Sequence, residues 1–332
     1  MAPDMTPPPA APAFLAAHGW GRARIEPLAG DASFRRYFRV IEDARSAVLM
    51  DAPPPHEDPR PFVKVARWLS ARDFAAPAIL AEDSAAGLVL LEDFGDRRMR
   101  ETVDADTEAL VPLYRAAVDL LVALRRHPAE DLRPYDLAEL HREAEVLTEW
   151  YCPAIGLEVD RAGYRAAWDA VLPRALPQAP VTVLRDYHAE NLMLVGDANR
   201  PPYSLGLLDF QDALAGHPAY DLVSLLQDAR RDVEPSIEDA MLRHYRAATG
   251  EGEAFMDAYH VLGAQRNAKI VGVFARLWRR DGKPRYPALC PRVWAYLERD
   301  LTYPVLAPVA AWFDANIPPE LRGDPMLLSG AA

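Results

Sequence analysis

The pattern of apolar and polar positions changes character near residue 95. Before that point the apolar residues fall in short runs bounded by turn-forming residues, and residues 23–28, 34–41, 47–50 and 88–91 read as strands. Gly30-Asp31-Ala32-Ser33 reads as the turn between the first two, and Ala52-Pro53-Pro54-Pro55 ends the third. Residues 61–70 place Phe62, Val65, Ala66 and Leu69 at helical spacing behind Pro61, a residue suited to a first helical turn. A short helix is also expected at 14–20. Strand, strand, strand, helix, strand with short early connections predicts an antiparallel sheet carrying a helix.

Past the polar turn Glu92-Asp93-Phe94-Gly95-Asp96 the period lengthens. Residues 107–126 carry Leu110, Leu113, Ala117, Leu120, Leu121 and Leu124 as one apolar stripe. Helices are also expected at 137–150, 162–175, 221–231, 237–247, 253–277 and 293–300, with strands only at 181–185, 192–195 and 205–208. The expected fold class is α+β, with a sheet-bearing lobe at 1–94 and a larger, mostly helical lobe at 95–332.

Composition narrows the function classes. At 332 residues, half of them hydrophobic, the chain can bury a core in each of two lobes. A net charge of −12 argues against a nucleic-acid partner. The short basic run Arg276, Arg279, Arg280 reads as a solvated helix edge. Cys152 and Cys290 are too isolated for a disulfide framework and are expected as buried thiols. No apolar run approaches the ~20 residues that span a bilayer, and the Pro/Ala-rich start lacks a signal-peptide pattern. The expectation is a cytoplasmic monomer with no membrane association. No Cys–His cluster supports zinc, and neither a dinucleotide fingerprint nor a Gly-x-Ser-x-Gly elbow occurs.

The chemistry concentrates in Leu184-Arg185-Asp186-Tyr187-His188-Ala189-Glu190-Asn191-Leu192 and in Leu208-Asp209-Phe210-Gln211-Asp212. In each an acidic residue follows an apolar strand. Phosphoryl transfer needs a carboxylate to orient and deprotonate an attacking hydroxyl, and hard oxygen ligands to hold a divalent cation across the phosphates. Asp186 suits the first role, and Asn191 with Asp209 suits the second. A carboxamide paired with one carboxylate binds a cation without piling negative charge beside phosphates.

These motifs, with Gly216-His217-Pro218-Ala219-Tyr220-Asp221-Leu222, resemble the aminoglycoside phosphotransferase and choline kinase family, distant relatives of protein kinases. The resemblance implies a two-lobed protein-kinase-like fold, ATP or GTP as phosphoryl donor, Mg2+, Asp186 as base, and Asn191 and Asp209 as metal ligands. Four further blocks, 28–40, 49–54, 90–96 and 265–277, resemble a bacterial branch, the anomeric N-acetylmuramate/N-acetylglucosamine kinases. That resemblance implies transfer to the C1 hydroxyl of a free amino sugar in peptidoglycan recycling, with the sugar 1-phosphate passed to a uridylyltransferase.

Several positions depart from the family pattern. Arg185 stands where a glycine precedes the catalytic aspartate, and Leu184 where a histidine is usual. Arg185 is expected to pair with a carboxylate the sequence does not identify. The phosphate loop holds one glycine, so Gly30, Asp31, Ala32 and Ser33 would bind phosphate through backbone N–H groups, with a hydroxyl from Ser33. Met50 occupies the place of the phosphate-pairing lysine, leaving Arg39, Arg36 or Lys64 to supply the cation, with Arg39 and Lys64 favoured. Glu92 and Phe94 would meet the base through their backbone. For the acceptor, Tyr187, His188, Glu190, Asp212 and Arg266 are the candidates, with His217 and Asp221 fixing the loop after the second strand. Two rival readings stay open. One is a kinase of another small hydroxyl compound, such as an aminoglycoside or amino alcohol. The other is a non-catalytic nucleotide-binding regulator.

Overall fold

The computed structural model describes residues 5–28, 34–196 and 204–330. The chain divides into two compact units, 1–116 with 189–213, and 117–188 with 214–332. The division falls inside a helix and gives residues 189–213 to the first unit, so it does not follow the lobes expected at 1–94 and 95–332. The fold is α+β and protein-kinase-like, with an antiparallel sheet in the first unit and mostly helices in the second.

In the first unit, β1 (Arg24–Pro27), β2 (Arg36–Glu42), β3 (Arg45–Asp51), β4 (Ile79–Asp83) and β5 (Leu88–Glu92) form one antiparallel sheet in the order β1-β2-β3-β5-β4. The two-residue period sets its faces. Phe38 and Val40, Ala47 and Leu49, and Leu88 and Leu90 share one face, and α1 (Ala11–Ala17) packs Phe14 and Leu15 against it with Trp20. The helix α2 (Arg60–Ser70) buries Phe62, Val65, Ala66 and Leu69 as its spacing requires. β4 carries no alternating pattern because it is an edge strand with a bulge between Ile79 and Ala81, an exposed Leu80 and an exposed Glu82-Asp83 end.

Residues 189–213 join this unit through their backbone. β7 (Leu192–Val195) and β8 (Ser204–Leu207) pair antiparallel. The Leu194 N–H donates to the Arg97 carbonyl (2.8 Å) and the Leu207 N–H to the Ala75 carbonyl (2.7 Å). Phe210 stacks on Phe62 at 4.8 Å between ring centres. Next to them lies α3 (Met99–Ala105), a helix too short to show a period. The unit boundary falls within α4 (Leu110–Leu124).

The second unit is built on α10 (Glu253–Arg279), buried along most of its length. Around it lie α5 (Leu137–Ala144), a π-helical turn (Leu147–Tyr151), α6 (Cys152–Ala154), α7 (Arg161–Val171), α8 (Ala219–Leu226), α9 (Pro235–Thr249), α11 (Cys290–Leu301), α12 (Ala307–Asn316) and α13 (Pro325–Leu328). Two short strands, β6 (Val181–Val183) and β9 (Leu214–Gly216), pair antiparallel. β9 spans three residues of Leu-Ala-Gly and α12 begins beside prolines, which is why neither was read from pattern. Asp136 and Asp160 cap α5 and α7 by accepting the N–H groups of Glu139 and Gly163. Cys152 and Cys290 are buried free thiols, as expected. Among the described residues no helix is long and apolar enough to cross a membrane.

Gly272 lets α10 meet the π-helical turn. A Cβ there would sit 2.3 Å from the Val146 carbonyl oxygen and 2.6 Å from the Leu147 nitrogen, both backbone atoms that cannot swing aside. Gly272→Ala is expected to cost about 1–3 kcal/mol through overpacking, lowering Tm by several degrees. Calorimetry checks this, and an unchanged Tm would show that the two elements separate freely.

Candidate active site

The sites suggested by sequence fall on both units. On the first, β7–β8 pairing brings Asn191 and Asp209 to the same end of one hairpin. Leu192 faces Leu207, and the Leu208 N–H donates to the Asn191 carbonyl at 3.0 Å. Both candidate ligands are half-buried. Asp209 has φ +57°, a left-handed conformation that aspartate tolerates better than most residues. Gln211 Nε2 donates to Asp209 Oδ1 at 2.8 Å. Among the described residues no group of three or more His, Cys, Asp or Glu side chains could cage a metal. A carboxamide and a carboxylate side by side fit a hard cation that takes its remaining oxygens from phosphates and water, as magnesium does.

A cavity of about 250 Å³ lies on the same unit, lined by residues 92–97 and 194–196. Gly206 admits the Phe94 ring beside it, since a Cβ there would stand 2.6 Å from Phe94 Cε2. The Glu92 N–H already donates to the Ala78 carbonyl at 2.9 Å, so that backbone donor, expected to meet a base, is engaged inside the sheet. Arg39 binds two cavity-lining carboxylates, Asp93 and Asp96, each at 2.8 Å. The hydrogen bond Arg39 donates to Asp96, opposed by burial and aided by the charge of Asp93, raises the Arg39 pKa. Lys64 sits on the exposed face of α2, and Met50 is fully buried. Of the two favoured cations, Arg39 is therefore the one set against the cavity wall. Gly30, Asp31, Ala32 and Ser33 lie outside the described residues.

The second unit carries Asp186, half-buried at the end of β6. The residue before it is locked. Arg185 has φ +73°, a conformation costing of order 1–3 kcal/mol for a residue with a long side chain. The Asp221 carboxylate accepts the N–H groups of Leu184 (2.7 Å) and Arg185 (2.9 Å), and Ser224 Oγ donates to the Arg185 carbonyl (3.1 Å). Burial pushes the Asp221 carboxyl up to about 7, against the pull of those N–H donors and of Arg266. The Arg185 guanidinium pairs with Glu143, which also accepts from Lys269 Nζ (2.7 Å) and from the Tyr135 hydroxyl. Glu143 is thus the carboxylate the sequence could not identify. It hides on the apolar face of α5 with Leu140 and Ala144, where nothing local marks it.

The acceptor candidates separate. Tyr187 is buried and its hydroxyl donates to the Ala117 carbonyl (2.8 Å), while Arg266 is 4% exposed and donates to Ser224 Oγ (2.8 Å). Their placement gives no support to the expectation that they contact a sugar, because both are spent on interior carbonyl or hydroxyl partners. His188 is buried beside Arg230 (3.2 Å), and burial followed by the charges of Arg230 and Arg266 holds its ring well below the ordinary histidine range. Glu190 pairs with Arg100 of α3, and Asp212 is exposed. His217 accepts the Ala219 N–H (3.1 Å) at the start of α8, a structural role. Asp221 also proves structural, but it fixes the loop after β6 and not the one after the later strand.

Known proteins resemble this chain in sequence and in fold. The sequence pattern of the phosphotransferase enzyme family matches residues 24–259. An N-acetylmuramate/N-acetylglucosamine kinase of Caulobacter vibrioides is 40% identical, the match covering 93% of this chain and 96% of that protein. A protein of the same name from Pseudomonas aeruginosa is also 40% identical, covering 86% of this chain and 87% of its own. Among solved structures, a choline/ethanolamine kinase family protein from Mesorhizobium loti superposes with a TM-score of 0.64 at 16% identity, covering 91% of this chain and 98% of its own. A choline kinase from Streptococcus pneumoniae gives 0.59 at 13%, covering 86% and 93%. At such identities the likeness is one of fold.

Glu143 yields a prediction with a definite sign. Burial alone would raise its carboxyl, but Lys269 and Arg185 outweigh burial and hold it down from 4.5 to about 2. A carboxyl depressed in the fold contributes stability that is complete above its unfolded value and is lost as pH falls through its folded value, here from 4.5 toward 2. Glu143→Gln leaves two cations facing a neutral amide and is expected to cost about 3–5 kcal/mol at neutral pH. It should also flatten the acid loss of Tm expected of the parent below about pH 4.5. Thermal denaturation across that range checks both, and a variant as stable as the parent at neutral pH would contradict them.

Proposed function

The chain belongs to the phosphotransferase enzyme family, and from that premise we propose that it is an ATP-dependent kinase of the anomeric hydroxyl of N-acetylmuramate and N-acetylglucosamine. The observation that carries the choice of sugar is the 40% identity, nearly end to end, with a relative named N-acetylmuramate/N-acetylglucosamine kinase. The transfer chemistry is supported by the motif Asp186-x-x-x-x-Asn191 with Asp209, and by the locked backbone that precedes Asp186.

In this reading Asp186 accepts the proton of the sugar C1 hydroxyl as its oxygen bonds to the γ-phosphorus. The bond from that phosphorus to the bridging oxygen breaks, and ADP leaves. Asn191 and Asp209 would hold magnesium, which neutralises phosphate charge when bound. Arg39 and the cavity lined by residues 92–97 and 194–196 belong to the nucleotide side, with Gly30, Asp31, Ala32 and Ser33 as phosphate contacts. The product would be a sugar 1-phosphate, the form a uridylyltransferase consumes, and in this reading it serves cell-wall recycling. Because Tyr187 and Arg266 are interior, the acceptor contacts fall to Asp212, with Glu190 and His188 as loop supports.

The test uses the whole chain with magnesium-ATP and each free amino sugar. Phosphorus NMR should show a new phosphate coupled to the anomeric proton. A phosphate at C6, or turnover of an amino alcohol or aminoglycoside with neither sugar used, would overturn the acceptor. No turnover of any of them would overturn the kinase reading.

A further inference from the structure

The polar run Gln265-Arg266-Asn267 interrupts α10 where the helix is buried on every side. Its three side chains diverge. Gln265 donates to the Leu140 carbonyl (2.9 Å), Arg266 to Ser224 Oγ (2.8 Å) and Asn267 to Gln227 Oε1 (2.7 Å). Arg266 alone is charged. Its Nη1 is buried with no hydrogen-bond partner among the described residues, and its charge falls on the buried Asp221 carboxyl, which it lowers. A guanidinium taken out of water and given so few partners is unfavourable in itself.

What the charge does is visible at the far end of its one bond. Ser224 is fully buried, accepts from Arg266, and donates to the Arg185 carbonyl (3.1 Å). A hydroxyl has one proton and two lone pairs, so a cation donating to it forces that proton outward, here onto Arg185. Three residues further along α10, on the same face, Lys269 reaches the same residue by a second route. Its Nζ bonds Glu143 (2.7 Å), and Glu143 pairs with the Arg185 guanidinium.

We propose that Arg266 is a positioning residue: with Lys269 it forms a two-armed clamp from α10 that holds Arg185 by backbone and side chain, and so fixes the direction of the Asp186 carboxylate. The proposal rests on the reading of Asp186 as the base. It replaces the role expected of Arg266 from sequence, a contact to the sugar acid, with one directed at the loop. A shift of about 1 Å in a catalytic group is enough to cost roughly 10²-fold in rate.

The experiment compares Arg266→Lys, Arg266→Met, Ser224→Ala and the Arg266→Met/Ser224→Ala pair, reading kcat, acceptor KM, and hydrogen exchange of the Leu184 and Arg185 amides. Arg266→Met and Ser224→Ala should each lower kcat about 10–10²-fold with acceptor KM within about twofold. The pair should be no worse than either alone, Arg266→Lys should recover part of the loss, and both amides should exchange faster. A raised acceptor KM with kcat preserved would make Arg266 a substrate contact and overturn the proposal, as would unchanged kcat with unchanged exchange. If Arg266→Met does not fold, Ser224→Ala carries the test. If the parent turns over no acceptor, the functional reading fails separately, and amide exchange alone decides whether the clamp exists.

Discussion

A single left-handed residue organises the second unit. Arg185 holds φ at +73° immediately before Asp186, and no property of arginine favours that conformation. It persists because its N–H, its carbonyl and one end of its guanidinium are held from outside. The N–H goes to Asp221, the carbonyl receives Ser224, and the guanidinium meets Glu143. Asp221 and Ser224 are three apart on α8, so one helix face serves both the N–H and the carbonyl of the same residue. A glycine would enter this conformation at no cost, but it would also leave it freely. Substituting arginine trades backbone freedom for a side-chain anchor.

The anchor explains the form of the surrounding core. α10 must be buried to bring Arg266 and Lys269 within reach, and Gly272 permits its approach to the turn after α5, the helix that carries Glu143. Buried charge is tolerable here because it is matched: Glu143 lies between Lys269 and Arg185, and the Tyr135 hydroxyl completes its hydrogen bonding. A second buried polar group, Asp300 with His260 (2.9 Å) and Gln227 (3.2 Å), ties α11 to α10 and to the end of α8. On the first unit the same economy appears at Arg39, whose two carboxylate partners line the cavity beside the β5 end.

How much of this could be read from sequence depended on range. Asp186, Asn191 and Asp209 stand out in the sequence because each follows or precedes a short apolar strand and their spacing is local. Strands β1, β2, β3 and β5 and helix α2 follow from clean periods. Edge strand β4 and three-residue β9 left too little pattern to find. The residues that hold the loop were illegible for a different reason. Glu143 and Lys269 come from helices about 40 and 80 residues away from Arg185 in the chain, and each looks like an ordinary helix residue until the fold joins them. Arg266 stands out as a charge in an apolar helix, but only its burial against Ser224 shows that it faces the loop.

The account stands on Asp186 being the group that takes the acceptor proton from a prearranged position. Rapid-quench measurement of the phosphoryl-transfer step, with nucleotide Kd measured in parallel, tests that most directly. Asp186→Asn should slow the chemical step by about 10²–10⁴-fold and leave nucleotide Kd within a few-fold of the parent. A chemical step that survives the substitution would contradict the account and move the base elsewhere.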